Sequence, residues 1–339
     1  MRTAPAAPGS AAPGSAVAST ALDTLTADPA KREVYRYDTY AREGLRAFAG
    51  MTALRRSHDV TFVVLKPDAV AGRRCELILR ILREEGWVPA AATTVRFDPL
   101  LTRELWRYQF NAASAQRIDV VDHLLGSGPS LLVLLHDTRR PAWMPASVRL
   151  TAAKGSADPE AARHGDLRTR IGRINGLFNF VHTADDPADV IRELQLFSYR
   201  TGWDWCRDAL SGTGSWDTGR PQAEDPAHAL LDTVHAAIPA HDLDVTAALR
   251  RLSAGSGRWA ALARAAGTPD RIGEWLAELR RGPVTDEAAR WDVLTVVTQW
   301  IDCNEAGVAP ILPTSSAAAW RAAAGGQPTA EQEAEPCRV

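Results

Sequence analysis

Three side chains in this 339-residue sequence have types and spacing suited to moving an anionic group: Lys66, His182 and Glu193. His182 lies in Asn179-Phe180-Val181-His182-Thr183-Ala184-Asp185-Asp186, and Glu193 follows eleven positions later. An imidazole attacks an electrophile through one ring nitrogen. A carboxylate accepting from the other nitrogen fixes the tautomer and the ring orientation. His182 and Glu193 can supply that pair. Lys66 ends the apolar run Thr61-Phe62-Val63-Val64-Leu65 and is followed by Pro67-Asp68. Of 39 Lys plus Arg only three are lysines, Lys31, Lys66 and Lys154, so a lysine at a strand end stands out against a strong arginine bias. It would suit a phosphate, and the plainer alternative is a cation solvating the strand edge.

Read together, these segments resemble the active site of nucleoside diphosphate kinases. In that family an Asn-x-x-His-(Gly/Ala)-Ser-Asp motif carries a transiently phosphorylated histidine. A Glu eleven residues later orients its ring, and a strand ending in Lys-Pro-Asp supplies a phosphate-binding lysine. The likeness covers about Val60 to Tyr199 and includes Ser127-Gly128-Pro129 ahead of an apolar strand. It implies that His182 is the nucleophile, that Glu193 orients it, and that Lys66 and Asn179 stabilise the moving charge. It also implies a nucleotide held by Lys66, Asn179, Arg168 and Tyr108, with Mg2+ arriving on a nucleoside triphosphate. Arg168, in Gly165-Asp166-Leu167-Arg168, resembles the arginine of the family's Gly-Thr-Ile-Arg motif. A second family arginine lies six residues before the Thr of a Gly-x-Thr-(Asn/Asp)-Pro segment. Here Gly155-Ser156-Ala157-Asp158-Pro159 puts Thr151 at that place, so that Arg149 fills the role through a two-residue insertion, or Lys154 substitutes.

The sequence also departs from the family. Ala157 stands where the family has a phosphate-binding Thr, and Ala184 stands where a Ser assists the Glu. The Phe that stacks on the base is missing from Ala115-Gln116-Arg117-Ile118-Asp119-Val120, while Trp106, Tyr108 and Phe110 lie just upstream. The phosphate acceptor therefore stays open: a nucleoside diphosphate first, otherwise a non-nucleotide metabolite or a protein. A nucleotide-binding regulatory module with little turnover is the other alternative.

The elements that must position these residues follow from periodicity. A helix is expected over Tyr35 to Arg55, strands over Thr61–Leu65, Ala91–Phe97, Ser130–Leu135 and Phe178–Val181, and helices over Cys75–Glu85, Thr102–Phe110, Arg117–Leu125 and Pro187–Phe197. Pro145 to Leu177 lacks clean periodicity and reads as an ordered loop. This order fits the α+β fold that the resemblance implies, a ferredoxin-like antiparallel sheet with flanking helices. From Ala227 to Ile301 helical stripes dominate, as in Ile272, Trp275, Leu276 and Leu279, which indicates an all-α C-terminal domain. The expected division is a disordered arm over 1–30, a kinase-like domain over 31–200, a helical domain over 201–316 and a disordered tail over 317–339.

Formal net charge of −2 and a pI near 6.5 give no basic field for nucleic acid or an anionic membrane, and no run of about 18 apolar residues suggests a membrane span. Four scattered cysteines, without a Cys-x-x-Cys pair, fit a reducing cytoplasmic setting. The remaining histidines show no metal-ligand spacing. Family members assemble as hexamers or tetramers, so a homo-oligomer is among the states the resemblance allows, unless the N-terminal extension and second domain block those contacts.

Overall fold

The computed structural model describes residues 21–51, 54–212 and 225–325. Four strands form its centre: β1 (Val60–Leu65), β2 (Trp87–Arg96), β3 (Pro129–Asp137) and β4 (Val181–Thr183). All pairings are antiparallel and the order is β2-β3-β1-β4, the ferredoxin-like arrangement. Helices flank the sheet: α1 (Pro29–Tyr35), α2 (Thr39–Gly50), α3 (Pro67–Ala71), α4 (Cys75–Glu84), α5 (Pro99–Leu105), α6 (Ala115–Leu125), α7 (Ala146–Lys154), α8 (Leu167–Arg170) and α9 (Pro187–Thr201). Beyond them come α10 (Arg207–Ser211), α11 (Leu231–Ala237), α12 (Val245–Ala254), α13 (Gly257–Ala265), α14 (Ile272–Arg280), α15 (Glu287–Trp300) and α16 (Ala317–Ala323). No helix among the described residues is long and apolar enough to cross a membrane.

Because side chains alternate along a strand, β1 feeds two cores. Phe62 and Val64 pack with Leu45 and Phe48 of α2, Leu101 and Leu105 of α5, and Ile191, Leu194 and Phe197 of α9. Val63 and Leu65 face the opposite layer, which joins Ile78 and Leu82 of α4 to Leu231, Leu276, Trp291 and Val297 from the C-terminal helices. The helical C-terminal region thus shares a core with the sheet. Gly128 marks the closeness of that packing, since a Cβ there would lie 2.5 Å from the Ile238 side chain.

Several elements differ from the sequence expectation. The arm expected to be disordered to Ala30 is helical at residues 21–25, where Leu22 and Leu25 are buried, and α1 is begun by Asp28, whose carboxylate accepts from the Ala30 amide at 2.8 Å. The single helix expected over Tyr35 to Arg55 is divided at Asp38, which caps α2 by accepting from the Ala41 amide. The region expected to be a loop contains α7, which lacks a side-chain cap and has its buried residues, such as Val148, Leu150 and Thr151, scattered around it. The last strand starts at Val181 because Phe180 takes a left-handed conformation, φ 69°. Within the expected tail, α16 buries Trp320. The arm before residue 21, residues 52–53 and 213–224, and the tail from 326 lie outside the described residues.

Candidate functional site

Strand register brings the two halves of the motif together. Val64 of β1 lies opposite His182 of β4, and Leu65 opposite Val181, so that Lys66 and His182 come from neighbouring strand ends. Lys66 donates its amide to Phe180 O at 2.9 Å, and the Phe180 amide donates to Asp68 Oδ2 at 2.9 Å. These two bonds hold a bulky residue at positive φ, a conformation that costs on the order of 1–3 kcal/mol and persists only where its surroundings impose it.

His182 Nε2 is 2.6 Å from Glu193 Oε2, a carboxylate projected from the middle of α9. Among the described residues nothing hydrogen-bonds Nδ1. The ring packs edge-on against Trp106, with centroids 5.1 Å apart, and tilted against Phe62. Burial, followed by the charges of Lys154, Arg168 and Lys66, pushes the His182 pKa down to about 3 despite the opposing effect of Asp185. The imidazole is therefore neutral at physiological pH. Glu193 moves the other way, since burial and the nearby Asp189 push its carboxyl well above the ordinary carboxylate range.

Three buried cations surround this pair. Lys66 Nζ donates to Leu177 O at 2.8 Å and lies 3.5 Å from Asp68 Oδ2. Lys154, at the end of α7, is 3.7 Å from Asp185 Oδ1. Burial pushes each lysine down to about 8. Arg168 donates to Gly155 O and Val181 O, both at 2.9 Å, and to Asn179 Oδ1 at 3.4 Å, while its Nε has no partner. Burial, and then Arg173, push it down to about 10. Asn179 in turn donates to Gly176 O at 2.6 Å. Depressed cations with few acidic partners favour a bound anion, because an anion would repay their desolvation.

Lys66, Asn179, Arg168, His182 and Glu193 are thus brought together, whereas two other expected residues are not. Arg149 donates to Asp137 from Nε at 2.5 Å and lies 4.1 Å over the Trp87 ring. That end of β3 pairs near Val60, opposite the strand end that carries Lys66. Lys154 approaches His182 in its place, and Thr151 hydrogen-bonds Thr183 Oγ1 and Ala184 O. Tyr108 donates its hydroxyl to Asp38 at 2.8 Å and stacks under Arg192, which ties it into the support behind α9. The aromatic group beside the imidazole is instead Trp106, stacked on Phe110.

A C-terminal strap, Asp302 to Asn304, also borders the site, and no motif or periodicity in the sequence points to it. The Ser114 hydroxyl donates to Asp302 O and its amide to Cys303 O, while Arg117 donates to Asn304 Oδ1 at 3.1 Å. The Cys303 thiol approaches Gly176, where a Cβ would lie 2.8 Å from it.

A family model described as nucleoside diphosphate kinase matches residues 59–201. Over 139 residues the chain is 27% identical to the nucleoside diphosphate kinase of Mycolicibacterium vanbaalenii, which covers 40% of this chain and 94% of that protein. A 91-residue stretch, 25% of this chain, is 37% identical to the L-cysteine:1D-myo-inositol 2-amino-2-deoxy-alpha-D-glucopyranoside ligase of Streptomyces scabiei, of whose length the chain spans 21%. Among solved structures, the nucleoside diphosphate kinase of Aquifex aeolicus is similar at 23% identity and a TM-score of 0.34, over 41% of this chain and 93% of that one. Residues 59–201 are a nucleoside diphosphate kinase-like domain, joined here to a helical C-terminal region.

Proposed function

We propose that this protein transfers the γ-phosphate of a nucleoside triphosphate, taken with its Mg2+ as substrate, through a phosphohistidine at His182 to an acceptor, with a nucleoside diphosphate as the first to test. The observation that carries this reading is the 2.6 Å contact between His182 Nε2 and Glu193, which leaves Nδ1 without a partner beside the buried Lys66, Lys154 and Arg168. The Nδ1 lone pair attacks the γ-phosphorus, and the bond to the β,γ-bridging oxygen breaks. Its electron pair leaves on the nucleoside diphosphate. The proton on Nε2 stays in the bond to Glu193, which stabilises the imidazolium-like charge. An oxygen of the acceptor phosphate then attacks the N–P phosphorus and returns the imidazole. Phosphoryl transfer depends mainly on positioning and charge stabilisation, which the three cations and Asn179 would supply.

Incubation with γ-labelled ATP and Mg2+ should place acid-labile, alkali-stable label on the wild type and none on His182→Ala. Equal labelling of the two proteins would overturn the assignment. A second reading keeps the phosphohistidine and changes the acceptor to a non-nucleotide metabolite. It is favoured by the strap from Asp302 to Asn304, which is bonded to the start of α6, the hairpin that lacks the family's base-stacking Phe. Discharge of pre-labelled protein by nucleoside diphosphates, compared with a pool of phosphate-free metabolites, separates the two readings.

A further inference from the structure

We infer that Lys31, which precedes the kinase-like domain, is a positioning residue for the His182–Glu193 pair: its ammonium neutralises the buried acids at the start of α9 and so favours the ionised form of Glu193, one turn further on, the form that holds the imidazole with Nδ1 free. This inference rests on the reading of His182 as the phosphate carrier.

The Lys31 ammonium lies 3.0 Å from Asp186 Oδ2 and 2.7 Å from Asp189 Oδ2, and it donates to Ser315 Oγ at 3.2 Å. Lysine and carboxylates are all buried, Lys31 at 2% exposure. Burial opposes its charge, but Asp186, Asp189 and Asp185 together hold its pKa above the ordinary lysine value. Asp186 also caps α9 through the Asp189 amide and accepts from Thr26 and Ser315, while Asp189 accepts from the Tyr35 hydroxyl. The first segment of the protein and the segment after α15 therefore meet at one buried node on the catalytic helix.

Asp189 and Glu193 are four residues apart and so share a helix face, where like charges disfavour each other. The other charged or titratable groups acting on Glu193 are Arg192 on its own helix, Asp185 before it, Lys154 from α7, Tyr35 from α1 and His182 itself. Arg192 is already paired, with Asp38 at 3.1 Å. Lys31 is thus the direct counter-charge to Asp189. The ionisation of Glu193 sets the tautomer: a carboxylate accepts from Nε2–H and leaves the Nδ1 lone pair exposed, whereas a protonated Glu193 would donate to Nε2 and put the imidazole proton on Nδ1.

The test uses the full chain, with 15N shifts of the His182 ring followed against pH as the tautomer readout and uptake of label from γ-labelled ATP with Mg2+ as the second. In Lys31→Met the change from Nε2–H to Nδ1–H, and the acidic limb of labelling, should move to higher pH. Labelling near neutrality should slow by up to about tenfold, the largest change in ionised fraction that roughly one pKa unit can produce. Asp189→Asn should move both to lower pH, and Lys31→Met/Asp189→Asn should return them towards wild type, which a purely structural role for Lys31 would not produce. An unshifted tautomer change in folded Lys31→Met, or a double variant no closer to wild type than the single one, would overturn the inference. Should Lys31→Met fail to fold, the downward shift in Asp189→Asn and the position of the double variant decide. A wild type that shows these tautomer shifts yet takes no label would leave the positioning role standing and remove the phosphohistidine reading.

Discussion

At His182, burial and three cations act in the same direction, and the imidazole is neutral with its pKa pushed down to about 3. Lys154 is the largest charged contributor after burial, so Lys154→Met should raise the His182 pKa while leaving it below the ordinary value of about 6.5. NMR titration of the ring checks the direction. Under the proposed function the same variant would remove a donor for the γ-phosphate, and a hydrogen bond to a charged group is worth about 1.5–3 kcal/mol, so labelling should slow by roughly 10-fold to 100-fold. An unchanged His182 pKa would show that Lys154 does not face the ring. Much of this site was legible in the sequence, because motif spacing identifies backbone register: His182, Glu193, Lys66, Asn179 and Arg168 all come together. The residue type of Arg149 matches a role that its position denies, since its guanidinium pairs with Asp137 at the end of β3 while Lys154 ends α7 beside Asp185. The scarcity of lysine is itself informative. All three lysines are buried around the His182–Glu193 pair or behind it, where a compact ammonium fits between carboxylates.

Elements were legible where a periodic apolar stripe met a boundary signal, Gly86 just after α4 and the Asp186 cap before α9, and illegible where neither existed. The α7 helix has no side-chain cap and buries residues on several sides, so its hydrophobic pattern has no helical phase to detect. Its end at Gly155 is nonetheless essential to the site. Gly155 has φ 78°, and a Cβ would lie 2.2 Å from Asp166 Oδ2. Its carbonyl accepts from Arg168 Nη1 at 2.9 Å. Gly155→Ala would combine positive-φ strain with displacement of Asp166, at about 1–3 kcal/mol, and would move an acceptor that holds the arginine. The expected outcome is a melting temperature lower by a few degrees together with a raised KM for the triphosphate donor. A variant with both values unchanged would mean that the α7 to α8 turn does not fix Arg168. Phe180 makes the complementary point, because nothing in its side chain predicts a left-handed backbone. Two long-range bonds, to Lys66 and Asp68, impose it and delay β4 to Val181.

Across the whole molecule, helical periodicity identifies the C-terminal region but cannot say what it packs against, and its docking alters what a shortened chain should do. Phe178 meets Trp291 at 6.4 Å, Asn175 donates to Thr298 Oγ1 at 3.3 Å, and the His241 amide donates to Ala71 O at 2.9 Å. Arg73 reaches Ile238 O at 3.1 Å, and Arg280 binds Asp119 on α6. The segment Asn175 to Asn179, which supplies Asn179 and the Leu177 carbonyl for Lys66, is therefore supported from α15. A chain ending at Arg200 would keep every residue assigned to the phosphate and lose that support, exposing the sheet face shared with the C-terminal helices. Each large apolar side chain returned to water costs about 1.5–3 kcal/mol, so the loss of a handful matches a whole-domain stability of about 5–15 kcal/mol. The shortened chain should be insoluble, or compact with exposed apolar surface that binds ANS, and should take no label at His182 even though the full chain does. Gly128→Leu in the full chain tests the same interface more gently, since its side chain must displace Ile238, and it should lower the melting temperature while leaving His182 and its cations in place. A shortened chain that is soluble, unfolds cooperatively and labels at the full-length rate would show that the kinase-like domain holds its own site, and that the C-terminal helices act only after the phosphate is on the histidine.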